Sequence, residues 1–142
     1  MKVRWTTGSV RFRITPGELA ALQRGEAVTI ALPLGGGASG WRATLLPEAG
    51  GDGAVSRLCG EGDGALVMRL AAADVARLAE PSAEGIYFRA PLGEDSEGLR
   101  FFVEKDFPCV HPRPPETQEA DAETFTPPPG FARRHGGGTG GA

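Results

Sequence analysis

Two residues of strong ligand type stand close together late in the chain, Cys109 and His111, within Pro108-Cys109-Val110-His111-Pro112. A thiolate and an imidazole at this spacing could share a zinc or iron ion. One such pair is half of a tetrahedral site, and Cys59, Asp106 or His135 would have to complete it. Cys109 could instead serve as a nucleophile if Lys105, His111 or Arg113 lowered the pKa of its thiol. No third group that would orient such a base can be named. Free cysteine commonly behaves as a small buried hydrophobe, and the flanking prolines suit a packed extended strap as well as they suit a site. Packing is therefore the preferred reading. Cys109 and His111 remain metal candidates, no catalytic residue is assigned, and no cofactor is implied.

A second constellation lies at the other end. Lys2, Arg4, Arg11 and Arg13 alternate with apolar residues along two adjacent extended runs. If those runs pair as a hairpin, all four cations share one face, which could hold a small anion, an RNA backbone or a protein partner. Single-stranded nucleic acid would also require exposed aromatics on that face for bases to stack on. Trp5 and Phe12 fall on the opposite face, expected to be buried, so no nucleic-acid partner is expected. The competing assignment pairs the cations with Glu104 and Asp106 across neighbouring strands, and it is favoured. The run Gly35-Gly36-Gly37-Ala38-Ser39-Gly40 is no phosphate cradle, because Trp41 and a strand pattern follow it where Lys-Ser/Thr and a helix would be needed.

The elements that must position these residues repeat. Val10-Arg11-Phe12-Arg13-Ile14 aligns with Leu66-Val67-Met68-Arg69-Leu70 at an offset of 56 residues. Trp41, Ala43 and Leu45 align with Leu99, Phe101 and Val103 at an offset of 58. Period-2 patterns predict strands over 2–5, 10–14, 27–32, 41–46, 55–59, 65–70, 86–90 and 99–104. Thr15-Pro16-Gly17-Glu18 is a capping box with proline in the first helical position, so a helix should run from 16 to about 24 and stop at Gly25. A second helix is predicted over 72–79. The fold class is therefore α+β: two related strand-strand-helix-strand-strand halves, about 2–47 and 55–104, form a mainly antiparallel barrel-like or two-sheet domain with two short helices. The expected core is Phe12, Ile14, Leu19, Leu22, Ile30, Leu45, Met68, Leu70, Val75, Leu78, Phe101 and Val103, with Leu32 also pointing inward and Tyr87 and Trp41 at the core or its rim.

Composition sets the outer limits. The chain has 142 residues, 22 of them glycine, and a net charge of −3, which makes no global case for a polyanion binder. The heavy use of alanine, arginine and glycine reads as GC-rich bacterial coding. Seven of the twelve prolines fall between Pro108 and Pro129, and the last seven residues are mostly glycine. One globular domain is thus expected over 1–113, with an extended or disordered tail over 114–142, proline-rich and acidic first and glycine-rich last. Charge recurs too early for a secretory leader, and no window approaches the ~18 apolar residues of a membrane span. Two cysteines imply no disulfide framework. The expected location is the cytoplasm, with no membrane association.

Two blocks together carry a resemblance. One is Lys2-Val3-Arg4 followed by Gly8-Ser9-Val10-Arg11-Phe12-Arg13-Ile14-Thr15. The other is Val103-Glu104-Lys105-Asp106-Phe107-Pro108-Cys109, with His111-Pro112-Arg113 after it. The pair resembles a bacterial family of small proteins described only as a domain of unknown function. The likeness spans roughly residues 2–129, ending in an acidic segment and then Phe125-Thr126-Pro127-Pro128. It implies no activity and no site residue. The function expected from the residues is that of a non-enzymatic binding or accessory protein, with a small metal- or thiol-dependent enzyme centred on Cys109 and His111 as the alternative.

Overall fold

The computed structural model describes residues 1–33, 40–50, 53–62, 64–91, 98–108 and 123–131. The first half comprises β1 (Lys2–Thr6), β2 (Ser9–Ile14), α1 (Pro16–Gln23), β3 (Val28–Pro33) and β4 (Gly40–Glu48). The second comprises β5 (Arg57–Glu61), β6 (Ala65–Ala71), α2 (Ala72–Ala79), β7 (Gly85–Ala90) and β8 (Leu99–Lys105). The duplicated order is as expected, and the strands form two four-stranded sheets. No helix among the described residues is long and apolar enough to cross a membrane.

The sheets run β1-β2-β8-β7 and β3-β4-β6-β5. Each therefore contains one hairpin from each half. The four hairpins are antiparallel, and they join at the centre of each sheet through a parallel pair, β2 with β8 and β4 with β6. A parallel pair needs a long connection; most of the chain lies between β2 and β8, and residues 49–64, which include β5, lie between β4 and β6. The two seams have the same register. Phe12 lies opposite Val103 in one, and the equivalent residues Met68 and Leu45 face each other in the other.

The core lies between the sheets and under the helices. Phe12, Ile14, Leu45, Met68, Leu70 and Val103 of the central strands have no exposure, and Leu22 of α1 and Leu78 of α2 join them. Burying one such side chain contributes about 1.5–3 kcal/mol. Ala43 and Ile86 also belong to the core. Ile30 is only partly buried, and Leu32 and Trp5 are exposed rather than inward. The reason is position: β3 and β1 are edge strands, and Leu32 and Trp5 lie near their far ends. Trp5 packs on Trp41 with ring centroids 4.8 Å apart.

The helix starts show how the duplication was kept while its chemistry changed. Thr15 accepts from the amide of Glu18, and Glu18 accepts from the amide of Thr15, so the capping box forms as its residues imply. Gly25 closes the helix with φ +80°, a conformation that costs glycine little. At α2 the threonine is replaced by Ala71. The Ser56 hydroxyl takes the part that the Glu18 carboxylate plays in α1, accepting from the N-cap amide of Ala71 at 2.9 Å, and it donates to Asp74 at 2.6 Å. Just before β1, the Met1 ammonium likewise reaches the acid of the first helical turn, Glu18. Both residues precede the first strand of their half.

Beyond β8, the Asp106 amide donates to the Ile14 carbonyl, and the Phe125 amide donates to the Asp106 carbonyl. Phe107 packs against Phe125 and Phe131 at centroid distances of 6.2 and 4.6 Å. Residues 123–131 thus lie against the end of β8.

Candidate functional site

Side chains alternate across a strand, so the register assigns the outer face of the β1-β2-β8-β7 sheet directly. It consists of three rows. The first is Lys2, Arg13, Glu104 and Gly85. The second is Arg4, Arg11, Phe102 and Tyr87, and the third is Thr6, Ser9, Arg100 and Arg89. Six cations share these rows with Glu104, and Asp106, two residues on along the same face, pairs with Lys2, for a net of +4.

Glu104 organises the middle of the face. Its Oε2 lies 3.4 Å from Nε of Arg11 and 3.7 Å from Nε of Arg13. Lys2 reaches Asp106, just past the end of β8, at 3.0 Å. The neutralising partners expected for the basic strands are therefore present. Arg4 and Arg100 have no ion pair among the described residues. The Arg11 guanidinium sits 5.2 Å from the centroid of Phe102, held between that ring and Glu104.

Tyr87 lies beside Phe102, with centroids 5.7 Å apart, and is 58% exposed. Its hydroxyl reaches back over Gly85 toward Glu104. A Cβ on Gly85 would stand 3.1 Å from that oxygen and 2.7 Å from the Val103 carbonyl, so only glycine leaves the tyrosine room to lie along its strand. Partial burial, then the negative charges of Glu104 and Glu84, push the Tyr87 phenol above its ordinary pKa. Arg11, Tyr87, Arg89, Arg100, Phe102 and Glu104 line an open groove of about 490 Å³.

The equivalent face of the other sheet is different. It carries Arg42, Arg57 and Arg69 against Glu48 and Glu61, a net of +1. Arg69 binds Glu48 at 2.8 Å and Glu61 at 2.6 Å, and Arg57 binds Glu48 at 2.9 Å. The hydrogen bond from Arg69 holds the Glu48 carboxyl below its usual range. Thr44 and Thr29 stand where Phe102 and Tyr87 stand in the first sheet, and they bond to each other at 2.9 Å. Two faces of one duplicated plan have thus diverged, one into a compensated surface and one into a cationic surface with aromatic rings.

Lys2, Arg4, Arg11 and Arg13 are brought together on one face by the β1–β2 hairpin. Arg100, Phe102, Arg89 and Tyr87 extend that face but come from the last two strands. Their period-2 pattern marks them as one face of their own hairpin, and the charges of Arg11, Arg13 and Glu104 set that hairpin beside the basic one, yet the rings themselves were not read as part of the site. Cys109, His111 and His135 lie outside the described residues. Of the groups invoked beside them, Lys105 is buried and its Nζ donates to the Glu80 carbonyl at the end of α2 at 2.7 Å. Burial lowers the pKa of that ammonium. Asp106 is occupied by Lys2. Cys59 is free and partly exposed, opposite Val67 on the other sheet. No group of three or more His, Cys, Asp or Glu side chains among the described residues could hold a metal ion.

The two blocks that carry the family resemblance meet here. The opening block forms β1 and β2, and the closing block forms the end of β8, hydrogen-bonded alongside β2. Within the closing block Val103 fills the core, Glu104 binds the arginines and Lys105 caps α2. Asp106 binds Lys2, and Phe107 holds the segment that follows. No curated protein and no solved structure gives a significant match to the chain. The model of a family of unknown function (DUF7009) matches residues 1–128, and the chain belongs to that family.

Proposed function

We propose that this protein is a non-enzymatic binding module whose working surface is the outer face of the β1-β2-β8-β7 sheet, taking an anionic partner. The observation that carries this is the divergence of two equivalent faces: one has a net charge of +4 and two aromatic rings among its arginines, the other +1, two threonines in place of the rings and a network that ties Arg57 and Arg69 to Glu48 and Glu61. A duplicated scaffold needs no such difference for its stability. The groove is open to solvent, which suits capture rather than turnover. Exposed arginines at this density create a local potential that attracts anions.

Calorimetric titration with inorganic polyphosphate tests the proposal. Binding should weaken with added salt and should weaken further in Arg4→Glu and Arg100→Glu. Binding that survives both reversals unchanged would assign the anion to another surface, and no binding at low salt would end the proposal.

A further inference from the structure

We propose that the anionic partner of this face is a single-stranded nucleic acid, a proposal that rests on the binding-module reading above. Two properties of the face separate this occupant from a lone phosphate or an acidic protein. The first is the aromatic pair. Tyr87 and Phe102 occupy the centre and one edge of the sheet, pointing outward, and Tyr87 is more than half exposed. Unpaired bases stack on such rings regardless of sequence. The two tryptophans, the more obvious stacking residues in the chain, meet each other away from this face.

The second property is the arrangement of charge. Strands lie about 4.8 Å apart, so the row from Arg4 to Tyr87 spans roughly 14 Å. Arg4 and Arg11 lie on one side of the rings, and Arg100 and Arg89 one row away along β8 and β7. A single phosphate would be served by converging donors in a closed pocket. Here the cations are spread on two sides of a stacking platform, which fits a backbone passing around bases that lie on the rings. Duplex would offer no free base face to Tyr87. Arg11 is already oriented, held by Glu104 and the Phe102 ring, so less of its freedom is lost when it meets a phosphate.

The chain's net charge of −3 does not oppose this. At physiological ionic strength charges are screened over about 8 Å, so a strand on this face responds to its local charge of +4, Asp106 included.

The test is fluorescence anisotropy with a labelled mixed-sequence oligonucleotide, RNA and DNA in turn, of about 16 nucleotides, the upper end of what one OB-type site covers. The full chain should bind it, with log affinity falling against log salt at about −0.7 per phosphate neutralised, hence roughly −3 if Arg4, Arg11, Arg89 and Arg100 all engage. Tyr87→Ala should weaken binding about 5- to 150-fold, the range for loss of one stacked base. Phe102→Ala should act in the same direction, and Arg100→Glu should weaken binding and flatten the salt slope. Circular dichroism and a denaturation midpoint check that each variant is folded, and Tyr87 is exposed enough for its removal to be tolerated. Oligonucleotide binding that is unaffected by Tyr87→Ala and Phe102→Ala in folded protein overturns the proposal, as does tighter binding of duplex than of single strand. Polyphosphate binding without oligonucleotide binding also overturns it while leaving the anion-binding module standing. Absence of both removes the two together.

Discussion

Glu104→Gln should lower stability and raise affinity for a polyanion at the same time. Glu104 is the one acid in the three rows of the cationic face, and its Oε2 lies 3.4 and 3.7 Å from the Nε atoms of Arg11 and Arg13. In bulk water each contact would be worth about 1.2 kcal/mol by Coulomb's law. The guanidinium groups are about one-third exposed, so screening and side-chain ordering reduce each to roughly 0.2–1 kcal/mol. Both arginines converge on a single oxygen, so the two contributions are not independent. The expected loss is about 1 kcal/mol, or roughly 4–8 °C in Tm for a domain near 100 residues. Binding moves the other way. The carboxylate lies one row, about 7 Å, from the Arg11–Phe102 row, where removing a negative charge favours a bound phosphate by roughly 0.6 kcal/mol at low salt. That is nearly threefold in affinity. Urea denaturation and oligonucleotide anisotropy on the same preparations measure both effects. Reduced stability with unchanged or weaker binding would refute the reasoning, because it would separate the ion-pair hub from the binding surface.

Two further outcomes follow from the geometry. Tyr87 is the chain's single tyrosine, so ultraviolet titration reads it alone. The phenol should ionise above the ordinary value of about 10, and Glu104→Gln should bring the midpoint down without fully restoring it, because burial is the larger cause; a wild-type midpoint at the ordinary value would contradict the placement of Tyr87 over Gly85. Phe101 is 3% exposed and stacks on Phe88 at 5.2 Å, so Phe101→Ala should cost about 3–5 kcal/mol, read as a fall in the denaturation midpoint; an unchanged midpoint would place the ring outside the core.

Much of the local structure was determined by the sequence itself. Strand pattern is a property of neighbours two residues apart, so β2 as Val10, Phe12 and Ile14 inward and Arg11 and Arg13 outward needed no tertiary information. The Thr15–Glu18 capping box is equally local, since its two bonds close within four residues. The duplication was legible because offsets of 56 and 58 align core positions that must remain apolar. The complementary charges at Arg11, Arg13 and Glu104 were legible for the same period-2 reason.

The tertiary structure decided how the two halves join. Hairpins form from contiguous chain, and the complementary charges of Arg11, Arg13 and Glu104 already set the closing strand beside β2, but the parallel sense of that seam and the whole of the β4–β6 seam have no such local sign. The β2–β8 seam makes Phe102 and Tyr87 neighbours of Arg11 and Arg4, and so creates the candidate site. Edge position was equally invisible: Trp5 and Leu32 share the inward parity of their strands, yet a strand end with one hydrogen-bonded neighbour leaves them open. The bond from the Ala71 amide to Ser56 ties the start of α2 to the residue before β5, and Ala71 gave no local sign of it. Parity along a strand is set by backbone geometry alone, whereas burial and partnership depend on what another part of the chain brings to that face.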